Sequence, residues 1–478
     1  MNLLMICVGI VLIILFFVLL IFKRNYLSLY VLIIWIFLPK INIITPIANV
    51  TTGIRIEDII ILIFCFVLLF EKFKSCKSLF KSKLMLICYA YLGASFISFL
   101  WGILGGLTIS PLASILGLVR KVEYFCFILV GADFIYFNKT NYLEIFKQVI
   151  DISLLYIFIL CILQYSKLIG GFLIGEYSPV VTYATAQFNG AYELGAYCNL
   201  ILPLYIYSVI KSKSWQDKIL NSCFIFFNFV AVALTMSRTP IAINILITFL
   251  MIFVFSNKKF KIIEAVGCIT FVCLLFVLIK YQAFSFLQRF NSLNLHEIFN
   301  SISYNIQNVT YDDYYKNLYE GQPYSLYGGG DVSFNMRMFK WAAMLNVFLS
   351  FPIFGYGFGS NVTIDGNYIK MLAENGLVGL VLFICIFVRI FLMTKGRKDL
   401  LNVLVIFTSI TILLGAVFID MFESSKVMSL FWFIIGIFLF KYISQPENKS
   451  ENNDNITGLG NLTIKNNREI IKTTKRRK

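Results

Sequence analysis

The sequence predicts an all-α polytopic integral membrane protein, with about 12–13 transmembrane helices and one long extracytoplasmic loop. Three observations predict it. Of 478 residues, 59% are hydrophobic and 14% charged, whereas soluble domains run near half and a quarter. Apolar runs long enough to cross a bilayer, about 20 residues each, recur along the chain. Basic residues also alternate sharply between successive connections. This composition excludes a soluble enzyme, a disordered chain and a nucleic-acid-binding protein. The net charge of +16 is therefore a topology signal, with nucleic acid excluded as a partner.

The runs lie at 3–22, 27–46, 56–71, 84–106, 112–137, 149–169, 192–210, 219–236, 239–256, 262–281, 369–393, 400–419 and 427–443. The first reads as a retained helix: no basic segment precedes it and no small-residue cleavage site follows. The connections 23–26, 71–83, 138–148, 211–218, 257–261 and 394–398 carry 18 Lys and Arg. The short alternating ones, 47–55, 107–111, 170–191, 237–238 and 420–426, carry 3. The positive-inside rule puts the first set in the cytoplasm, with the N-terminus outside. The 11 cysteines read as small apolar packing residues, since all but Cys76 lie in apolar runs.

The chain divides into helices one to ten (1–281), an extracytoplasmic loop (282–368), helices eleven to thirteen (369–443) and a basic cytoplasmic tail (444–478) that touches anionic lipid. The loop has 87 residues and is rich in Tyr, Asn, Asp and Gly. Tyr311, Tyr315 and Tyr327 suit glycan binding, because a flat apolar ring stacks on a sugar while its hydroxyl bonds to it. A lid packed on the helices is the other reading of this loop. Met336 to Leu349 reads as a helix at the outer interface, broken by Phe351-Pro352. There is no internal repeat, which counts against transporters built from duplicated halves.

Charges inside the apolar runs are costly and mark pairs or function. Arg120, Lys121 and Glu123 sit in the fifth run, where Arg120 and Glu123 are spaced to pair on one helix face. Glu193 opens the seventh run as either an interfacial or a functional carboxylate. Arg238 occupies the tight turn after the eighth, against the outer-side charge rule. Gly355-Tyr356-Gly357-Phe358-Gly359 is a weak phosphate-loop signal, because no strand precedes it. His296 stands in a polar loop, where solvation is the usual state. No zinc pattern, Walker motif or nucleophile elbow is present, so no metal and no cofactor is expected.

Three segments, in order, carry a resemblance. The first is Phe188-Asn189-Gly190-Ala191-Tyr192-Glu193-Leu194-Gly195-Ala196-Tyr197, running into Leu202-Pro203-Leu204. The second is Met236-Ser237-Arg238-Thr239-Pro240. The third starts at Arg337, passes Phe351-Pro352-Ile353-Phe354-Gly355-Tyr356-Gly357 and continues from Asp365-Gly366-Asn367 through Glu374-Asn375-Gly376 to Leu380. Together with a long loop just before the last of them, they resemble the O-antigen polymerase (Wzy) and O-antigen ligase superfamily. The resemblance implies a GT-C-like helical architecture in a bacterial inner membrane. The implied enzyme is a glycosyltransferase of surface polysaccharide or lipopolysaccharide biosynthesis. It would join oligosaccharide repeat units carried on undecaprenyl diphosphate, with membrane lipid around it and a chain-length regulator as partner.

Ligases of this superfamily carry a His directly before the Asn of the third segment. This chain has Gly366 there, which favours a polymerase. The diphosphate leaving group needs cations, and Arg238, Arg337 and Arg120 are the candidates, because guanidinium binds phosphate bidentately. The acceptor hydroxyl needs a base, for which Asp365, Glu193 and Glu374 are the candidates in that order. Asn367 would bond sugar or phosphate. A ligase and, from a different class, a polysaccharide flippase are the alternatives.

Overall fold

The structure is a computed structural model describing residues 3–40, 42–44, 54–107, 111–173, 176–178, 183–255, 295–310, 312–313, 332–359, 365–397 and 399–444. It is an all-α membrane protein. Its helices are α1 (Leu3–Phe22), α2 (Leu27–Phe37), α3 (Ile56–Phe80), α4 (Lys83–Leu104), α5 (Pro111–Phe137), α6 (Tyr142–Tyr165), α7 (Ala191–Lys211), α8 (Trp215–Leu234) and α9 (Arg238–Phe255). After these come α10 (Leu295–Asn308), α11 (Val332–Ser350), α12 (Asn367–Thr394), α13 (Leu400–Gly415) and α14 (Ser425–Ser444). Two short antiparallel pairs complete it, Asn42–Ile44 with Ile54–Arg55 and Gly171–Leu173 with Glu176–Ser178.

Among the described residues, seven helices are long and apolar enough to cross a membrane: Lys83–Leu104, Tyr142–Tyr165, Ala191–Lys211, Trp215–Leu234, Arg238–Phe255, Asn367–Thr394 and Ser425–Ile443. Every sequence span coincides with a helix except 262–281, which lies outside the described residues. The second span is shorter than expected. Its helix stops at Phe37, and Asn42–Ile44 turns into a strand. The long helix 112–137 exists but carries Arg120, Lys121, Glu123 and Asp133, all charged positions. The interfacial helix expected at 336–349 is α11, and it ends one residue before Phe351-Pro352.

The starts of the helices follow local chemistry. Ser82 and Ser214 cap α4 and α8, their hydroxyls accepting from the amides of Met85 (3.3 Å) and Asp217 (3.5 Å), groups the helix itself leaves unbonded. Pro111 opens α5, where a missing N–H costs nothing.

α7 and α14 form the centre, each 78% buried over its membrane-length window. α7 packs against α8, α9 and α13, while α12 packs against α4 and α11. Between α7, α8 and α9 lies a buried asparagine network. Asn244 Nδ2 donates to Asn199 Oδ1 (2.8 Å) and Asn228 Oδ1 (2.9 Å), Asn228 donates to the Cys198 carbonyl (2.8 Å), and Asn199 donates to the Pro240 carbonyl (2.9 Å). In hydrocarbon such amides must satisfy one another, so they fix how the first turn of α9 sits on α7. Of the seven cysteines whose side chains are described, none is in a disulfide; four are buried, two are half-buried and Cys223 is exposed.

α12 is broken at Gly376, whose φ of 63° is in the left-handed region. The segment after α11 lies in the break. Tyr356 N–H donates to Ala373 O (2.7 Å) and Gly357 N–H to Glu374 O (3.4 Å), while Leu377 N–H donates to Pro352 O (2.9 Å) and Val378 N–H to Ile353 O (3.3 Å). Four backbone groups beside the kink are thus bonded by a neighbouring strap, as a broken membrane helix requires. A side chain at Gly376 would stand 2.3 Å from Ile353 O. The Gly355–Gly359 run is therefore part of this strap, and its glycines serve backbone packing.

Candidate functional site

One end of the bundle collects the starts of α3, α5, α7, α9, α12 and α14. It also collects several of the charges that the sequence singled out, in three groups. The first group is buried. Glu193, in the first turn of α7, pairs with Lys40 and accepts from Lys426 N–H at 3.3 Å. The Lys426 ammonium donates to the Ile36 carbonyl at 3.1 Å and to that of Leu38, and Arg55 donates to Ser425 Oγ at 2.9 Å. Arg120 reaches Asp58 at 3.5 Å, so the carboxylate that it faces comes from α3. The sequence spacing had pointed to Glu123 on its own helix.

The second group lies where α12 meets the α13–α14 connection. Lys370 pairs with Glu423 and stands 3.6 Å from Asp420. Asn367 is buried; its amide nitrogen donates to Asp420, and its oxygen accepts from Phe422 N–H at 3.0 Å. Both polar atoms that were expected to face sugar are engaged inside the protein. Glu374 is buried too, and its carbonyl accepts from Ser98 Oγ at 2.5 Å.

The third group is the most accessible. Arg337 Nε donates to Asp365 Oδ2 at 3.1 Å, and its Nη2 donates to Tyr192 Oη at 3.1 Å. The Asp365 side chain is 48% exposed. Trp341, one turn along α11, donates from its indole to Asp365 O at 2.5 Å and stacks on Phe418 at 6.0 Å. Phe418 lies two residues before Asp420, so the second and third groups share one wall. Lys340 stands beside Arg337 on the same helix. Burial holds its ammonium below the usual lysine range; Asp365 opposes that and Arg337 adds to it.

Gly366 has φ 107°, and a Cβ there would meet the Trp341 indole nitrogen at 2.8 Å. A side chain at this position would have to displace Trp341. Arg238 is half-buried at the start of α9, in the turn that Asn199 fixes through Pro240. Tyr311, Tyr315 and Tyr327 lie outside the described residues. His296 is exposed and bonds Asn300 at 3.1 Å. Among the described residues, no group of three His, Cys, Asp or Glu could hold a metal.

The structure thus brings Arg337 and Asp365 into direct contact, pairs Glu193 with Lys40 and Arg120 with Asp58, and buries Glu374. It adds Tyr192, Lys340, Trp341, Lys370, Asp420 and Glu423, which the sequence reading had not weighed. Lys370 had a visible signal, being a charge one turn inside an apolar helix.

Residues 223–384 match the family model described as O-antigen ligase, about a third of the chain. The matched stretch contains Arg238, Arg337, Asp365, Asn367 and Glu374. It leaves out Arg120, Glu193 and the Asp420–Glu423 connection. No curated protein matches the chain.

Proposed function

We propose, on the premise that the chain is a member of the O-antigen polymerase and ligase superfamily, that it polymerises oligosaccharide repeat units carried on undecaprenyl diphosphate. The reaction takes place on the outer face of a bacterial inner membrane. The observation that carries this reading is the Arg337–Asp365 pair, inside the family-matched stretch and half-open to solvent, with Tyr192 brought to it from the start of α7.

In the reaction, the acceptor hydroxyl oxygen of one repeat unit attacks the anomeric carbon of the other glycan. The bond from that carbon to the diphosphate oxygen breaks, and its electron pair leaves on undecaprenyl diphosphate. The hydroxyl proton passes to a carboxylate. Of the three candidate bases, Asp365 is the accessible one. Glu193 and Glu374 are 6% and 4% exposed, and Glu193 is already neutralised by Lys40, so its role is to hold Lys40 and α14 in place. Arg337 and Arg238 offset the charge developing on the leaving diphosphate, as preorganised cations do most effectively in a site shielded from water. Arg120 pairs with Asp58. The Tyr-rich loop supplies glycan contacts, and a separate regulator sets chain length.

Polymerase is preferred to ligase because the position that resembles the ligase histidine is Gly366, and the Trp341 indole fills the space a side chain would need. The test is a gel of surface-glycan chain lengths from a strain lacking the protein, complemented with Arg337→Ala or Arg337→Lys. Collapse of the ladder to one repeat unit without the protein is the expected result. Arg337→Lys should lose about tenfold or more of the long-chain product, since lysine cannot hold Asp365, Tyr192 and a phosphate with one planar fork. Polymer made but left on its lipid would show a ligase instead. Repeat units trapped inside would show a flippase.

A further inference from the structure

The cations at this end of the bundle are unequally matched. Lys40 has Glu193, Arg120 has Asp58, and Lys370 has Glu423. Arg337 and Lys340 share less. They are three residues apart on α11, so their side chains rise from one helix face. Among the described residues, Asp365 is the carboxylate whose charge reaches both. It bonds Arg337, while Lys340 forms no hydrogen bond or ion pair among the described residues although it is partly buried. Among the described residues, two adjacent cations against one carboxylate leave an excess positive charge in a partly desolvated place. Such a charge is expensive without an anion.

The geometry of Arg337 points the same way. Its Nε is taken by Asp365 and one Nη2 proton by Tyr192. Among the described residues, the Nη1 side of the fork has no partner. The Tyr192 ring lies under the guanidinium, 5.9 Å from its carbon, which holds the fork in one plane.

We infer that Lys340 joins Arg337 in a clamp on the diphosphate of the polyprenyl carrier, Lys340 being the residue this adds to the site proposed above. Arg337 takes one phosphate through its remaining N–H groups. Lys340, a point charge on a flexible stem, takes the other. The clamp rests on the glycosyl-transfer reading above and adds to it a residue that neither motif nor spacing had marked. Asp365 sets the spacing by holding Arg337, and its exposed side is the part open to the acceptor hydroxyl whose proton it takes up.

The test uses the full-length protein in a nonionic detergent and measures binding of a short-chain polyprenyl diphosphate, the matching monophosphate and phosphatidylglycerol. Wild type should prefer the diphosphate. Lys340→Gln should weaken diphosphate binding by about tenfold, the loss of one charge-assisted contact, and monophosphate binding by less. Lys340→Arg should restore most of the affinity, which a merely structural role of Lys340 would not require. Arg337→Gln with Lys340→Gln should lose less than the two single losses combined, because both act on one ligand.

Diphosphate binding that is unchanged in Lys340→Gln would overturn the clamp and leave the glycosyl-transfer reading standing. Phosphatidylglycerol bound as tightly as the diphosphate, and weakened equally by Lys340→Gln, would overturn the carrier assignment in favour of bulk lipid. A wild type that binds no polyprenyl phosphate would overturn the clamp and the reading together. Monodisperse elution of each variant confirms that it is folded.

Discussion

Glu193 and Asp365 are both carboxylates at the start of a helix, and their surroundings give them different chemistry. Glu193 meets an ammonium and a backbone N–H in a buried pocket, so its charge is spent on structure. Asp365 keeps nearly half its surface in water while holding Arg337. Lys340 is the opposite case, a cation held partly out of water with an arginine close by. Its folded pKa lies below the unfolded value of about 10.4, so between those two pH values the unfolded chain binds more protons. Folding stability from this group therefore rises with pH through that window. The same depression exposes free amine early. Lys340 should be acylated by an amine-reactive reagent at a pH where ordinary lysines stay protonated, and bound diphosphate should slow it. Mass-spectrometric labelling across pH, with Lys340→Arg as the blank, reads this directly; a labelling midpoint in the ordinary lysine range would contradict it.

At the scale of the element, α12 is the informative helix. Its first turns carry Asn367, Lys370 and Glu374, and its remainder is apolar except for Arg389 and Thr394 near its end. The break at Gly376 separates the two, and the Pro352–Gly357 strap makes the break affordable by bonding four backbone groups. Gly376→Ala would add a methyl group 2.3 Å from Ile353 O at a positive φ. Overpacking and left-handed strain each cost about 1–3 kcal/mol. The variant should unfold several degrees lower in a thermal melt in detergent and lose product along with stability. A melting curve that matches wild type would show that the strap yields without cost. The sequence marked Gly355, Gly357 and Gly359 as special through their spacing, but the spacing suggested phosphate. The hydrogen bonds to Ala373 and Glu374 are formed between segments that no local pattern connects.

On the scale of the whole molecule, composition and charge alternation settle the class, because a bilayer permits few ways to satisfy a backbone. The helix positions were legible for the same reason. The site was legible in part. Arg337 and Asp365 stand out individually, and the fold joins them. Their neighbours were hidden because each charge is completed from a distant element, as Lys40 completes Glu193 across 153 residues. That pair ties the segment after α2 to α7 and α14. Glu193→Ala alone should destabilise by about 3–5 kcal/mol, since it strands a buried ammonium. Lys40→Met combined with Glu193→Leu should recover most of the loss and retain polymer, as judged by thermal melting and the glycan ladder. A double variant that is stable yet makes only single repeats would return Glu193 to the list of bases.

The strap that mends α12 lies before it in the chain. A ribosome therefore delivers Pro352–Gly357 ahead of the helix whose backbone it completes. When Gly376 arrives, the groups that will bond its neighbours have already been made. Biogenesis of this protein thus has a built-in order, in which the splint is synthesised before the fracture.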